Sequence, residues 1–398
     1  MEKREKLVIG KPYRQDDETN AYLKSNIRFP DGEEKTVFFS VPLQDGAALA
    51  VELADCFVVA SFQWCMRKSY DIESEAPVSR SLLYSMNKRL IPGMCRESKI
   101  YHQINIFAEA SDLKYESADY VGLCWSGGCD SFYSYMANLK APEGCKVTHF
   151  MNMNAGVFLE PDIDGQFKES SEKCMREAKA FGLQALCINT NIHLVFYAFY
   201  MTVCPEMLTS CMLAVQKSFH MGLISTTEDI RYMSYDDNIA SLCMPVLIDC
   251  LSTQNITICA PGGEVSRIEK IRQLSDFEPA HKMLHVCVKE INKNCMKCGK
   301  CDRTLAALDA LGTLDRFGES FDLKYFEEHR DEIWGRVLHD RNRIHCAEPL
   351  AALEKSGRKP SKRAQMIARM LDAALKAANT HESEIMGGPV GPVVGRER

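Results

Sequence analysis

Apolar and polar residues alternate in two segments near the N-terminus, as they do in half-buried strands. Residues 21–29 and 36–41 show this period, with a Pro-Asp-Gly turn between them. From Asp45 onward apolar residues recur every three or four positions, which predicts a helix. A further strand is predicted over 101–107. We interpret residues 1–115 as an α+β scaffold or partner-binding region, because they carry no recognisable chemical motif.

The pattern changes near residue 116, where short apolar runs alternate with amphipathic helical segments. The runs that predict strands are 121–125, 147–153 and 186–189. The segments that predict helices begin at Asp130 or cover 167–181 and 207–221. Strands and helices that alternate in this way are typical of parallel strands joined by crossovers. We therefore predict an α/β fold with a doubly wound parallel sheet over residues 116–315.

The C-terminal part of the chain is charged and has the period of helices. Helices are predicted over 322–338 and 361–378, so that residues 316–379 form a helical extension. Residues 380–398 contain several glycines and prolines without an apolar pattern. This composition predicts a disordered tail.

The composition of the 398-residue chain, 46% hydrophobic and 26% charged, is that of a globular protein. A formal net charge of -6 argues against bulk attraction to nucleic acid or to an anionic membrane. No apolar run approaches the roughly 20 residues that span a bilayer, and a secretory signal is not visible. These features predict a cytoplasmic protein and leave its oligomeric state open. In that compartment the 18 cysteines are expected as buried thiols, metal ligands or catalytic thiols rather than disulfides.

The stretch Trp-Ser-Gly-Gly-Cys-Asp-Ser, residues 125–131, lies between a predicted strand and a predicted helix. Paired glycines let a polyphosphate approach the backbone, and a helix N-terminus binds anions through its N–H groups. Ser126 and Ser131 add hydroxyl donors, and open α/β sheets bind ligands at the carboxyl ends of their strands. The stretch therefore predicts a phosphate-binding loop. A tight turn in which Ser131 or Asp130 only caps the helix is the simpler alternative.

This glycine loop resembles the signature of the PP-loop ATP pyrophosphatases, a superfamily of adenine nucleotide alpha-hydrolase-like proteins. The resemblance implies that the loop holds the β,γ-phosphates of ATP while a substrate oxygen attacks the α-phosphate. It implies that Asp130 fixes the loop or reaches a phosphate-bound Mg²⁺, and that Phe150 and Met151 flank the adenine. The residues that would bind the leaving pyrophosphate are Ser126, Gly127, Gly128 and Ser131.

Four cysteines further along the chain have the spacing of a metal site. They are Cys287, Cys295, Cys298 and Cys301, of which the last three form a C-x-x-C-x-x-C knuckle. Four thiolates close a tetrahedral Zn²⁺ site, and nearby basic residues offset their negative charge. Thiolates in such a knuckle also ligate iron–sulfur clusters, which is the alternative.

The cysteine spacing resembles that of the 7-cyano-7-deazaguanine synthases, a zinc-containing branch of the PP-loop superfamily. The resemblance covers about residues 118–313, with both motifs in the expected order. Arg267 and Lys270 lie on a predicted helix where that family carries a basic residue, which implies catalytic cations that contact the polyphosphate. The resemblance implies an ATP- and Mg²⁺-dependent ligase. Such an enzyme adenylates a carboxylate or amide, for instance 7-carboxy-7-deazaguanine, and joins it to ammonia or another amine.

The substrate is less well indicated than the ATP chemistry. Residues 153–156 replace a substrate-binding segment of the synthases. Similar proteins also occur in antiphage defence systems and natural-product clusters, so a peptide or protein amino group is a further acceptor. Two other functions stay open, namely a sulfur-transfer enzyme that modifies tRNA and a non-catalytic nucleotide-binding module. The acidic composition argues against the first of these.

Overall fold

The strands follow from short segments whose alternate residues are apolar. In the segment Asn20–Arg28, for example, Ala21, Leu23 and Ile27 are fully buried and their neighbours are more exposed. The computed structural model describes residues 4–158, 161–196, 200–234 and 247–386. The described chain forms two compact units, Met1–Arg267, which holds all of its strands, and Ile268–Arg398, which is helical.

Thirteen strands are present in the described residues, numbered β1 to β13 in chain order. They are Lys6–Ile9, Tyr13–Asp16, Asn20–Arg28, Glu34–Pro42, Asp71–Ser74, Val78–Ser79, Ile106–Phe107, Ala110–Ser111, Tyr120–Cys124, His149–Met153, Gln184–Thr190, Phe219–Leu223 and Thr257–Cys259. Eleven of them form one mixed sheet in the order β13-β12-β9-β10-β11-β4-β3-β1-β5-β7, with β2 beside β3. The short strands β6 and β8 form a separate pair.

The parallel part of the sheet reverses its winding direction at β9. The chain runs from β9 to β10 and β11 on one side, then returns past β9 to β12 and β13 on the other. Because parallel crossovers are right-handed, this reversal places the connecting helices on opposite faces of the sheet. Open α/β sheets bind ligands beside the carboxyl ends of the strands at such a switch point. Here the switch point lies between β9 and β12.

The helices are numbered α1 to α13 in chain order. Those of the first unit are Asp55–Lys68, Arg80–Ser85, Ile91–Glu97, Cys129–Asn138, Ile163–Ala180, Ile192–Val195 and Tyr200–Ala214. Helix α8, Arg267–Leu274, begins at the last residue of the first unit. Those of the second unit, α9 to α13, are Glu278–Met283, Gly299–Leu311, Leu323–His339, Ile344–Lys355 and Lys362–Met386.

A small apolar core joins the helices of the second unit. Helix α10 packs against α11 and α12, and α11 packs against α13. Ala306, Trp334 and Val337 are buried in this core. At its edge the Asp309 carboxylate accepts hydrogen bonds from the Trp334 indole at 2.8 Å and from Arg330 at 3.0 Å. A buried carboxylate with charged and neutral donors is satisfied, so this contact stabilises the helix pair.

The structure confirms the α/β class and the helical C-terminal region, but two predicted elements are wrong. The helix predicted over 207–221 ends at Ala214, and its last residues belong to β12. The strand predicted over 101–107 is reduced to the two residues of β7. No glycine or proline lies between Ala214 and Phe219 to mark the end of the helix, which explains the first error.

The division between the two compact units falls at residue 267, and the domain boundaries predicted near residues 115 and 315 stay predictions. Strand β4 pairs antiparallel with β11, so the N-terminal strands continue the sheet that carries the glycine loop. Helix α13 extends to Met386, into the first residues of the predicted tail, and residues 387–398 lie outside the described chain. None of the described helices is both long and apolar enough to cross a membrane.

Candidate functional site

The glycine loop directly follows β9 at the switch point of the sheet. Trp125 continues the strand, since its backbone N–H donates to the Met151 carbonyl of β10 at 2.9 Å. Gly127 has a φ of +70°, a left-handed conformation that only glycine adopts without a steric cost from Cβ. Gly128 is the N-cap of α4 and places no side chain over the start of the helix. The loop therefore presents bare backbone to a helix N-terminus, which is the arrangement that binds anions.

Two serine hydroxyls border this loop. Ser126 Oγ lies 3.3 Å from Ser131 Oγ. Ser126 Oγ accepts a hydrogen bond from the Gly128 N–H at 3.3 Å, and Ser131 Oγ donates to the Gly128 carbonyl at 3.1 Å. The N-cap of α4 is Gly128, which has no side chain that could cap the helix. Both hydroxyls therefore lie at the start of α4, and their contact with phosphate stays a prediction.

Asp130 and Arg267, which are 137 residues apart in sequence, form an ion pair beside the loop. Asp130 Oδ2 lies 2.7 Å from Arg267 Nη1, and the two side chains are 19% and 7% exposed. Burial lowers the pKa of Arg267, but Asp130, together with Cys129 and Glu228, more than offsets this effect and holds that pKa above its usual value. Two residues predicted to act at one site are thus brought together, and both are charged.

A second ion pair at the loop was not predicted from the sequence. On α5, Lys173 Nζ lies 3.0 Å from Glu177 Oε1, and these side chains are only 12% and 11% exposed. The Trp125 indole donates to Glu177 Oε2 at 2.6 Å, which ties the helix to the loop. In sequence the two residues have the i, i+4 spacing of an ordinary surface pair. No local signal therefore distinguishes them from the exposed charges of the same helix.

The loop after β13 also reaches α4. The Tyr133 hydroxyl donates to Glu264 Oε1 at 3.0 Å, and Glu264 Oε2 accepts from the Gly262 N–H at 3.0 Å. Gly262 lies in the turn ahead of α8, which begins at Arg267. These bonds fix the turn that leads to Arg267 against the helix that carries Asp130.

Phe150 and Met151 lie in the core below the loop. Phe150 is fully buried and stacks on Trp125 with ring centroids 3.8 Å apart and an interplanar angle of 3°. Met151 is 2% exposed. Only the backbone of these residues remains to contact a nucleotide, and their contact with adenine stays a prediction. Lys270 belongs to the second unit, where its side chain is fully buried, and its role toward the loop likewise stays a prediction.

The four predicted metal ligands come together in the second unit. The Sγ atoms of Cys287, Cys295, Cys298 and Cys301 all lie within 4.8 Å of one another. The shortest separations are 3.5 Å between Cys298 and Cys301 and 4.0 Å for two further pairs. A tetrahedral Zn²⁺ with Zn–S bonds of about 2.3 Å requires sulfurs about 3.8 Å apart. The cluster could therefore hold a metal such as zinc.

The backbone around the knuckle is shaped for this cluster. Met296, between the second and third cysteines, has a φ of +62°, which turns the chain sharply. Backbone N–H groups of Lys289 and Glu290 donate to Cys287 Sγ, both at 3.3 Å. The Asn294 amide donates to the Leu284 carbonyl at 2.8 Å and holds the start of the loop. Donors that surround the sulfurs stabilise thiolate charge and orient the ligands.

The hydrogen bond between the thiol groups of Cys298 and Cys301 lowers the pKa of Cys298 to about 4. Thiolate is the form of cysteine that binds metal, so the cluster provides a ligand in the correct state at neutral pH. Four cysteine ligands complete a tetrahedral zinc site and leave no position for a catalytic water. The arrangement is that of a structural metal centre.

No protein-family model, curated protein or solved structure matches this chain.

Proposed function

We propose that the protein is an ATP-dependent ligase of the PP-loop type, which cleaves ATP to AMP and pyrophosphate at the glycine loop. The observation that carries this proposal is the bare Ser-Gly-Gly loop between β9 and α4 at the switch point of a parallel sheet. The paired cation Arg267 beside Asp130 supports it, because a polyphosphate site needs positive charge next to the helix N-terminus.

Each residue has a part in this proposal. The loop backbone, Ser126 and Ser131 would bind the β,γ-phosphates, and Arg267 would offset charge that builds on the leaving pyrophosphate. Asp130 is the carboxylate that would hold Mg²⁺, an ion that proteins usually bind through one or two carboxylates together with substrate phosphates. When bound, Mg²⁺ neutralises polyphosphate charge.

The substrate class follows from the chemistry of adenylation. A carboxylate or amide oxygen is a poor leaving group, and transfer of AMP to it makes displacement by an amine feasible. We propose a small carboxylate similar to 7-carboxy-7-deazaguanine as the acyl partner. Ammonia, or the amino group of a peptide or protein as in antiphage defence systems, would be the acceptor. The Cys₄ centre would stabilise the second unit and take no part in the reaction.

The cysteine at the end of β9 is a poor nucleophile for the sulfur-transfer alternative. Cys124 is the last residue of β9, directly before the loop. Burial raises the pKa of its thiol to about 12, so that it is protonated at neutral pH. Sulfur transfer needs a nucleophilic thiolate. This thiol therefore does not supply one.

The test is a nucleotide assay with ATP labelled on the α-phosphate, with and without 7-carboxy-7-deazaguanine or peptide carboxylates. Labelled AMP and stoichiometric pyrophosphate are expected from the wild-type protein with its carboxylate substrate. Ser131→Ala should reduce their formation about a hundredfold, as the loss of one positioned donor does elsewhere. Ser134→Ala, one turn further along the same helix, is the matched control and should keep full activity.

Three results would contradict the proposal. Release of ADP and phosphate would place cleavage at the wrong bond. Binding of ATP without turnover, across carboxylates and amines, would indicate a non-catalytic nucleotide-binding module. A thiolated base in tRNA, detected by mass spectrometry only when the protein is present, would indicate sulfur transfer.

A further inference from the structure

The ammonium group of Lys173 lies against Gly127, a residue of the glycine loop without a side chain. A Cβ placed on Gly127 would lie 2.7 Å from Lys173 Nζ and 3.4 Å from Glu177 Oε2. The ammonium group therefore occupies the space that any side chain at position 127 would take. A ligand that lies against the Gly127 backbone would meet this ammonium.

The pair that Lys173 forms with Glu177 differs from an ordinary helix surface pair. Both side chains are close to nine-tenths buried, and Glu177 also accepts the Trp125 indole N–H at 2.6 Å. Desolvation of two charges offsets much of their mutual attraction, so a buried pair contributes little net stability. A buried pair of charges that contributes little to stability and lies against a glycine loop is therefore a candidate part of a binding site.

The charges around the loop are balanced in pairs. Asp130 neutralises Arg267 at 2.7 Å, and Glu177 neutralises Lys173 at 3.0 Å. A polyphosphate with Mg²⁺ brings both a cation for a carboxylate and anionic oxygens for the basic groups. Exchange of partners would pair the basic groups with phosphate oxygens and Asp130 with Mg²⁺, and would leave Glu177 with the hydrogen bond from the Trp125 indole.

We propose that Lys173 is a polyphosphate-binding cation that makes the glycine loop specific for ligands with two or more linked phosphates. In this proposal its ammonium exchanges Glu177 for the phosphate oxygens at Gly127, and Glu177 stays held by the Trp125 indole. The inference rests on the proposed ATP chemistry at this loop. It adds a residue, and a competing carboxylate, that the motif itself does not contain.

The experiment measures binding of ATP, pyrophosphate and AMP by isothermal titration calorimetry with Mg²⁺ present. Lys173→Met should weaken ATP and pyrophosphate binding at least tenfold and leave AMP binding within twofold. Lys173→Arg should retain most of the affinity, because it keeps the charge. Lys179→Met, an exposed lysine on the same helix, is the matched control and should change nothing.

Glu177→Gln provides a second, opposite readout. The variant keeps an oxygen for the Trp125 indole but removes the carboxylate that competes for the ammonium. Pyrophosphate affinity should therefore rise severalfold, whereas the loss of a purely structural ion pair would lower it or leave it unchanged. This variant also tests the proposal if Lys173→Met does not fold.

The outcomes separate this inference from the proposed function. Wild-type protein that binds neither ATP nor pyrophosphate would overturn the proposed function. Wild-type binding with unchanged affinity in Lys173→Met would overturn the role of Lys173 alone. Equal loss of AMP and pyrophosphate affinity in that variant would also overturn it, because the effect would then be on the fold of the loop.

Discussion

At the scale of single residues, we expect the Asp130–Arg267 pair to affect the free energy of unfolding as well as the proposed activity. The Arg267 side chain is 7% exposed, and its buried positive charge is compensated by the Asp130 carboxylate 2.7 Å away. Asp130→Ala should lower the free energy of unfolding by about 3–5 kcal/mol, because it leaves a buried guanidinium without its partner. Urea denaturation at neutral pH measures this change. Loss of activity in that variant would therefore not by itself identify a catalytic carboxylate.

Two further variants control this prediction. Asp130→Ala combined with Arg267→Met should recover most of the lost stability, since the unpaired charge is gone. Asp112→Ala, which breaks the exposed pair with Arg80, should leave the free energy of unfolding nearly unchanged. If the double variant were as unstable as the single one, the coupling assigned to Asp130 and Arg267 would be wrong.

The buried carboxyl group of Glu206 should make the free energy of unfolding depend on pH. It is buried on α7, where its Oε1 accepts a hydrogen bond from Gln63 of α1 at 2.6 Å, and burial raises its pKa to about 7. Between its unfolded pKa near 4.5 and about 7, the folded chain keeps a proton that the unfolded chain loses. Stability therefore falls as pH rises through this window, by up to about 3 kcal/mol.

Glu206→Gln should remove this dependence. Relative to wild type, the variant should gain stability steadily from about pH 5 to about pH 7.5, as measured by urea denaturation at each pH. Glu172→Gln, an exposed position on α5, is the control and should leave the pH profile of the wild type unchanged. A constant difference between Glu206→Gln and wild type across this range would contradict the raised pKa.

The contiguous part of the site was predictable from the sequence, and the rest was not. Ser126, Gly127 and Ser131 stand within one short stretch whose order and flanking elements indicate a phosphate-binding loop. Lys173 and Glu177 reach the loop only because α5 packs beside it. Their spacing is shared by many exposed helical pairs, so only the tertiary structure identifies them.

At the scale of elements, burial explains which predictions failed. β10 is buried at every residue, and an apolar run of that kind was correctly read as a strand. Only residues 215–218 separate α7 from β12, and none of them is a glycine or a proline. Helix and strand were therefore not distinguishable there, although this strand borders the switch point beside the loop.

The cysteine cluster between α9 and α10 predicts that the folding of this part of the chain depends on a bound metal. Purified protein should be colourless and contain about one Zn²⁺ per chain, as measured by inductively coupled plasma mass spectrometry. Cys298→Ser should lose the metal and most of its solubility, because metal-binding energy is also folding energy at such sites. Cys145→Ser, which changes a cysteine outside the cluster, should keep both. Brown protein with visible charge-transfer absorption would favour an iron–sulfur cluster instead.

At the scale of the whole molecule, the sheet is larger than the motif-bearing region. Strands β1 to β5 and β7 extend it through the β4–β11 pairing, which no residue pattern indicated. Pairing between strands far apart in sequence depends on which edge is left open by the parallel part. The prediction of an α+β segment therefore described the kinds of element in residues 1–115, but it did not show where their strands would pair.

The two units differ in the interactions that stabilise their folds. The first unit has an extensive apolar core along its sheet, with residues such as Leu7, Phe39 and Met151 in one cluster. The second unit has a smaller core, and all four clustered cysteines belong to it. Cores of limited size commonly depend on a structural metal for stability. We therefore expect removal of the metal to affect the second unit first.

Hydrogen exchange measured by mass spectrometry tests this expectation in the full chain. After treatment with a strong chelator, peptides covering residues 284–311 should exchange faster, because the knuckle and the start of α10 lose their anchor. Peptides from β9 and β10 should keep their protection, since their hydrogen bonds lie within the buried sheet. Addition of Zn²⁺ should restore the original pattern. Equal loss of protection in both units would show that the metal maintains the whole molecule rather than one unit.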